Sequence, residues 1–136
     1  MPRRLLILDL DETLMHATEA PLEREADFRI DAYHVYKRPF VDAFLAQVAE
    51  HFDLAVWSSG TKPYVEEALT YFFPAEQSLA FVWTRERCTA RIDHDRRSLL
   101  YLKDLKKVKR SKKYRLEQIL VVDDRPEVLS TVRQLA

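Results

Sequence analysis

Residues 4–10, Arg4-Leu-Leu-Ile-Leu-Asp-Leu10, form a nearly continuous apolar run that leads into Asp11-Glu-Thr13. Such a run is typical of a strand buried on both faces, as in a parallel sheet. Similar short apolar runs recur at residues 53–58, 79–83 and 118–122. The sequence therefore predicts a four-stranded sheet whose first strand carries Asp9 and Asp11 to its carboxyl end.

Amphipathic helices are predicted between these strands. Apolar side chains recur at helical spacing after Pro39 and after Pro63, and proline is favoured in the first turn of a helix. A final helix is predicted from Pro126. Its inward-facing residues would be Val128, Leu129, Val132 and Leu135. Strands that alternate with helices indicate an α/β fold with a mostly parallel sheet covered on both faces.

The remaining segments are predicted to be inserts and surface. Residues 12–25 are acidic without clear periodicity, residues 27–37 alternate as in a short β-hairpin, and residues 84–98 read as a polar loop or small insert. Residues 103–115 contain eight Lys and Arg side chains and one acidic residue, Asp104. In order of preference, this run is a solvated helix face, a surface that attracts a phosphorylated acidic partner, or a nucleic-acid contact.

Composition narrows the possible classes of protein. A chain of 136 residues suits a single domain over residues 1–136, which at this size needs no disulfide or structural metal. Lys plus Arg and Asp plus Glu number 22 each, so net charge favours no partner class. Gly60 is the only glycine, which excludes glycine-rich Walker and Rossmann phosphate loops.

The expected location is the cytoplasm, without membrane contact. No apolar stretch approaches the ~20 residues of a membrane span, and the N-terminal residues lack the length of a signal peptide. The single cysteine, Cys88, cannot form an internal disulfide and fits a reducing compartment.

Polar residues follow the carboxyl ends of three predicted strands, where parallel sheets place their chemistry. They are Asp9, Asp11 and Thr13 after the first strand, Ser58 and Ser59 after the second, and Asp123, Asp124 and Arg125 after the fourth. Clustered carboxylates repel one another unless a cation neutralises them, and their hard oxygens suit Mg²⁺ better than zinc. The alternative is that Asp9 and Asp11 merely end a strand, as aspartate often does. A second acidic pair at another strand end weakens that alternative.

In this order the motifs resemble the haloacid-dehalogenase (HAD) phosphohydrolase superfamily, and within it the FCP/SCP group, also called NLI-interacting-factor-like phosphatases. The matching residues are Asp9, Asp11 and Thr13 of the Asp-x-Asp-x-Thr motif, Ser58 of the second motif, Lys103 of the third, and the acidic pair Asp123 and Asp124. Residues 37–45 and 85–88 also look like this group. The likeness covers nearly the whole chain. It implies a Rossmann-like HAD fold with small β-hairpin or loop inserts and no large cap domain.

The resemblance implies a Mg²⁺-dependent phosphatase that acts through a phospho-aspartate. Asp9 would be the nucleophile. Asp11 would protonate the leaving oxygen and then deprotonate the hydrolytic water. Ser58 would bind a phosphoryl oxygen, and Lys103 would offset its negative charge.

The metal site also follows from the resemblance. Mg²⁺ would be held by the Asp9 carboxylate, the Asp11 backbone carbonyl and Asp124, with Asp123 orienting Lys103 or metal-bound water.

Three further residues are candidates at the substrate. Ser59 competes with Ser58 as the hydroxyl on the phosphate, and Thr13 is expected to hold backbone geometry beside it. Arg125 either reaches a phosphate or pairs with a neighbouring aspartate.

The expected substrate is phosphoserine or phosphothreonine in a protein, because an open site without a cap admits a polymer. Nucleic-acid ends and small phosphometabolites are alternatives. A receiver-like phosphoacceptor is disfavoured by the order of the motifs, and a non-catalytic phosphoprotein-binding scaffold by the presence of all four aspartates. Only twelve residues follow Asp124, so the last strand and helix of the full fold are expected to be missing.

Overall fold

The structure, a computed structural model, describes residues 3–112 and 114–130. These residues form ten strands and three α-helices. The strands are β1 (Arg4–Leu8), β2 (Met15–Thr18), β3 (Phe28–Ile30), β4 (Tyr33–Lys37), β5 (Phe52–Trp57), β6 (Val82–Trp83), β7 (Thr89–Asp93), β8 (Ser98–Asp104), β9 (Ile119–Val122) and β10 (Leu129–Ser130). The helices are α1 (Val41–Ala49), α2 (Lys62–Leu69) and α3 (Leu105–Lys112).

The central sheet consists of four parallel strands in the order β6-β5-β1-β9. From β1 the chain builds β5 and β6 on one side and returns to form β9 on the other, so Leu8 pairs with both Val56 and Val122. The carboxyl end of β1 is therefore the topological switch point, where open α/β sheets bind their ligands. The predicted α/β fold with a parallel sheet is confirmed, and Asp9 lies at this point.

Helices pack on both faces of the central sheet around β1, whereas Leu120 and Val122 of β9 are exposed. Leu6 and Leu8 of β1 belong to one buried cluster with Val41 and Val65, which lie on α1 and α2. The alternate residues of β1 belong to a second cluster with residues of α3, because successive side chains of a strand point to opposite faces. Burial on both sides explains why the residues 5–8 are uniformly apolar.

The inserts are small antiparallel elements. The predicted hairpin within residues 27–37 is β3 and β4, and β2 pairs with β4 to extend it into a three-stranded sheet. The segment 84–98, predicted as a loop or small insert, contains β7 and the first residue of β8, which pair as a hairpin. Strand β2 is only four residues long and the side chains of β7 are mostly exposed, so neither strand was predicted. Within the described ranges the inserts are small, and none of them forms a large cap domain.

Several boundaries differ from the sequence predictions. Pro63 lies in the first turn of α2, as predicted, whereas Pro39 precedes α1. Phe40 caps α1 with φ 67°, a left-handed conformation that costs a non-glycine residue about 1 kcal/mol or more. The third predicted strand is shorter than expected, since β6 has only two residues.

The final helix predicted from Pro126 is wrong over the described residues. Residues Pro126–Val128 form a 3₁₀ turn, and Leu129–Ser130 form β10, which pairs in parallel with β8. Long-range pairing with β8 outweighs the local helical spacing of the apolar residues. Val132 and Leu135 lie outside the described residues.

The basic run is divided between two elements. Lys103 lies in β8, and the residues that follow form α3, as the preferred reading of a helix face predicted. In the part of the chain that the structure describes, no helix has the length and apolarity needed to cross a membrane.

Candidate active site

The site is built where β1 ends beside β9. The backbone N–H of Asp9 donates to the carbonyl of Val122 at 3.0 Å, which continues the pairing of the two strands for one more residue. Asp9 thus leaves the sheet next to the acidic pair that follows β9. Asp9 is 8% exposed as a whole residue, so its carboxylate is largely buried.

A buried lysine joins the two strand ends. Lys103 Nζ lies 3.1 Å from Asp9 Oδ1 and 2.6 Å from Asp123 Oδ2. The side chains are 5%, 11% and 2% exposed for Lys103, Asp9 and Asp123, so water screens these charges little. The backbone N–H of Arg125 donates to the other Asp123 oxygen at 2.9 Å and fixes that carboxylate.

Three carboxylates at the site could hold one metal ion. Oxygen atoms of Asp9, Asp123 and Asp124 all lie within 4.8 Å of one another, and no other set of potential ligands in residues 3–112 and 114–130 meets this criterion. The donors are hard oxygens without His or Cys, which fits a hard divalent cation rather than zinc. The side chain of Asp11 is not in this group, so the structure leaves only its predicted backbone carbonyl as a ligand.

The environment raises the pKa values of the two motif aspartates. Burial is the main cause at Asp9; Lys103 opposes it by favouring the charged form, and Asp123 adds to it by repulsion. Burial also raises the pKa of Asp11, and the hydrogen bond from Tyr64 opposes that rise. A carboxyl with a raised pKa is suited to donate a proton near neutral pH. An additional cation beside Asp9 would favour its ionised, nucleophilic form.

The predicted hydroxyl residues lie around the same point with different geometry. Thr13 Oγ1 donates to Asp9 Oδ2 at 3.3 Å, so Thr13 contacts the carboxylate directly. Ser58 is buried, and its Oγ accepts the backbone N–H of Gly60 at 3.0 Å. That contact leaves the hydroxyl proton of Ser58 available for another acceptor. Ser59 lines the cleft beside Asp9.

A narrow cleft of about 60 Å³ opens at the buried charges. Its lining includes five of the predicted site residues, together with an apolar and an aromatic residue of β8. The lining residues are Asp9, Ser59, Leu99, Tyr101, Lys103, Asp123, Arg125 and Val128. The guanidinium of Arg125 pairs with Glu127 at 3.2 Å, and not with an aspartate as one alternative predicted. This exposed pair is weak enough to open for an anion.

Two residues at the site were not predicted from the sequence. The hydroxyl of Tyr64 donates to Asp11 Oδ1 at 2.7 Å. Arg85 donates through Nε to the carbonyl of Ser59 at 2.8 Å and stacks over the ring of Tyr101 at 4.8 Å. The sequence signal for Tyr64 is its position one helical turn after the strand-end residues, whereas Arg85 lies in the segment 85–88 that resembles the family outside its catalytic motifs.

Comparison with known proteins identifies the family. The family model described as NLI interacting factor-like phosphatase matches residues 4–135. The chain therefore belongs to the NLI interacting factor-like phosphatase family, which confirms the resemblance noted in the sequence.

Individual relatives agree with this assignment. The chain is 32% identical over 130 residues to a probable C-terminal domain small phosphatase of Dictyostelium discoideum, covering 90% of this chain and 39% of that protein. It is 30% identical over 132 residues to CTD small phosphatase-like protein 1 of Caenorhabditis elegans, covering 91% of this chain and 24% of that protein. The chain thus spans well under half the length of these relatives.

The fold has a solved counterpart. The structure of Fcp1, an essential RNA polymerase II CTD phosphatase, superposes with a TM-score of 0.67 at 22% identity. The match covers 93% of this chain and 38% of that one. This likeness establishes the fold class, the α/β architecture predicted from the sequence.

Proposed function

We propose that this chain is a Mg²⁺-dependent phosphatase that hydrolyses phosphoserine or phosphothreonine in a protein through a phospho-aspartate on Asp9. The observation that carries the proposal is the position of Asp9. Its carboxylate lies 3.1 Å from Lys103 Nζ and within 4.8 Å of two further carboxylates that could share a cation. Phosphoryl transfer depends mainly on such positioning and charge neutralisation.

In the first step, a carboxylate oxygen of Asp9 attacks phosphorus and the bond from phosphorus to the substrate oxygen breaks. The electron pair of that bond leaves with the substrate oxygen, which takes the proton of Asp11. Lys103, held between Asp9 and Asp123, offsets negative charge on the phosphoryl oxygens. Mg²⁺ held by Asp9, Asp124 and the backbone carbonyl of Asp11 would supply further positive charge next to those oxygens.

In the second step, a water molecule attacks the phosphorus of the phospho-aspartate. Asp11, now ionised, takes a proton from that water, and the bond from phosphorus to Asp9 breaks. Asp9 regains its carboxylate, Asp11 regains its proton, and inorganic phosphate leaves. Burial raises the pKa of Asp11, which supports its role as the acid because the carboxyl group keeps its proton to higher pH.

The phosphate-binding groups come from three loops. Ser58 can donate its hydroxyl proton while its oxygen accepts Gly60 N–H, and Ser59 lines the cleft. Thr13 supports the nucleophile through its contact with Asp9. Arg125 can reach an anion by leaving its exposed partner Glu127.

A phosphoprotein is the proposed substrate because two features support it. The Dictyostelium and C. elegans relatives are described as C-terminal domain (CTD) small phosphatases or similar to them. The described inserts are small, and an open site accommodates an extended polymer. The cytoplasmic location remains a prediction from the sequence.

The test is a substrate panel assayed with and without Mg²⁺. It comprises phosphoserine and phosphothreonine peptides, nucleotides, a 5′-phosphorylated oligonucleotide and p-nitrophenyl phosphate. We expect Mg²⁺-dependent phosphate release with the highest kcat/KM on the peptides. Asp9→Asn should lower turnover at least about a thousandfold, and Asp11→Asn about a hundredfold or more.

Asp53→Asn is the matched control, since Asp53 pairs with Arg3 at the opposite end of the sheet and should leave turnover unchanged. Retained activity in Asp9→Asn would remove the nucleophile assignment. Higher kcat/KM on the oligonucleotide or nucleotides would replace the proposed substrate class. No hydrolysis by folded wild type would favour a scaffold, and a stable phospho-form after acetyl phosphate would favour a receiver-like acceptor.

A further inference from the structure

We infer that Tyr64 is a positioning residue that orients Asp11 for proton transfer to the leaving oxygen of the substrate. The inference rests on the proposed phosphatase reaction and adds to it a residue outside the family motifs identified in the sequence.

The geometry of the contact carries the inference. Tyr64 lies in the first turn of α2, and its hydroxyl donates to Asp11 Oδ1 at 2.7 Å across 53 residues of chain. An aspartate side chain otherwise rotates about two bonds. A donor fixed on Oδ1 holds the plane of the carboxyl group and leaves Oδ2 as the oxygen that carries and transfers the proton.

Tyr64 is itself held in place by two neighbours. Its ring packs edge to face against Tyr33 of β4, with ring centroids 6.3 Å apart. It also lies close to the backbone of Gly60, where an added Cβ would be 3.0 Å from Tyr64 Cδ1. The one glycine of the chain therefore lies where the tyrosine ring approaches the backbone, and Tyr33 of the small β-sheet packs against the same ring.

This arrangement has a consequence that depends on the substrate. The alkoxide that leaves from phosphoserine is strongly basic, so its departure requires a proton from Asp11 in the transition state. p-Nitrophenolate is a stable anion and leaves without that proton. Hydrolysis of the phospho-aspartate is the same for both substrates, whereas kcat/KM reports only the steps up to release of the first product. A residue that aims Asp11 should therefore lower kcat/KM for the first substrate much more than for the second.

The test measures kcat and KM of Tyr64→Phe on a phosphoserine peptide and on p-nitrophenyl phosphate. We expect kcat/KM on the peptide to fall about 10- to 100-fold, because most of the general-acid contribution is lost. On p-nitrophenyl phosphate kcat/KM should fall less than about threefold. Tyr71→Phe is the matched control, since Tyr71 stacks on Phe28 at 3.9 Å and should leave both substrates unaffected.

Two further measurements make the result decisive. Beryllium fluoride should bind Tyr64→Phe as it binds wild type, because the phosphoryl position depends on Asp9 and Lys103 and not on Asp11. Tyr33→Leu, which removes only the ring contact to Tyr64, should give the same selective loss at a smaller size, about three- to tenfold.

Equal losses on both substrates, no loss on either, or lost beryllium fluoride binding would each overturn the inference. If Tyr64→Phe does not fold, Tyr33→Leu provides the test. Equal losses on the two substrates in that variant would contradict the inference. Wild type without activity on either substrate would instead refute the proposed function, so the two failures are distinguishable.

Discussion

Two clusters of the same chemistry lie at opposite ends of the central sheet. At the carboxyl end, Lys103 bridges Asp9 and Asp123 at 3.1 and 2.6 Å. At the amino end, Arg3 lies 3.5 Å from Asp53, whose other oxygen accepts the hydroxyl of Tyr114 at 2.7 Å. Each cluster joins carboxylate and cation across distant segments of the chain.

The difference between the clusters is burial. The side chains at the carboxyl end are at most 11% exposed, whereas Arg3 and Asp53 are 47% and 39% exposed. Water screens the exposed pair, so it contributes little and is free of strain. Each buried charge is stabilised by its oppositely charged neighbours. Because Asp9 and Asp123 share the single cation of Lys103, this cluster can accept another cation or a phosphoryl group. Burial rather than pairing therefore separates the proposed catalytic cluster from the exposed one.

The largest difference between the two clusters should appear in the free energy of unfolding when the cation of each cluster is removed. Lys103→Met leaves two buried carboxylates facing each other and should lower the free energy of unfolding by about 3–5 kcal/mol. Arg3→Met should cost only about 1 kcal/mol, because its partners remain in contact with water. Urea denaturation of both variants without metal measures the difference. Equal costs would mean that burial does not distinguish the clusters.

Metal binding should act on one cluster only. With Mg²⁺ at about a hundred times its dissociation constant, wild type should gain about 2.7 kcal/mol of stability. Asp53→Ala should gain as much, and Asp124→Ala should gain much less because a ligand has been removed. Thermal unfolding with Mg²⁺ or with EDTA reports this. A full gain in Asp124→Ala would remove that residue from the metal site.

A smaller effect concerns the pH dependence of stability. Because the folded state raises the pKa of Asp9, its ionised form is disfavoured on folding. The cost is absent below the ordinary value of 3.8 and grows as pH rises above it. Metal-free Asp9→Asn should therefore be about 1–2 kcal/mol more stable than wild type at pH 7.5, and no more stable at pH 3.5. A gain independent of pH would contradict the titration of Asp9.

The smallest effect should be at the exposed cluster. Tyr114→Phe removes the hydrogen bond to Asp53 and should cost about 0.5–1.5 kcal/mol with full phosphatase activity. Unfolding curves and a p-nitrophenyl phosphate assay measure both quantities. Lost activity would show that the two ends of the sheet are coupled.

Much of the fold and of the site could be predicted from the sequence. The apolar run before Asp9 is long enough to specify a strand buried on both faces, and strand order then brings the acidic ends of β1 and β9 together. Lys103 is predicted as a site residue only because it matches the third motif of the family. A lysine inside a basic run gives no local sign of burial.

The remainder depends on contacts that leave no local pattern. Strand β2 is only four residues long and the side chains of β7 are mostly exposed, so neither has the continuous buried apolar run that predicts a strand. Leu129 joins β10 through pairing with β8, against a helical spacing in the sequence. Tyr64 contacts Asp11 because of how α2 lies on the sheet, which no spacing along the chain encodes.

The bridge from Asp9 to Lys103 joins residues 94 positions apart. Closing so long a loop is slow and requires β1, β8 and β9 to be in place together. A partly folded chain, or one whose β7–β8 hairpin has locally opened, would have Asp9, the proposed nucleophile, without Lys103 beside it. Catalytic competence in this chain would then report completed folding, so hydrolysis itself could serve as a sensitive probe of how the last strands assemble.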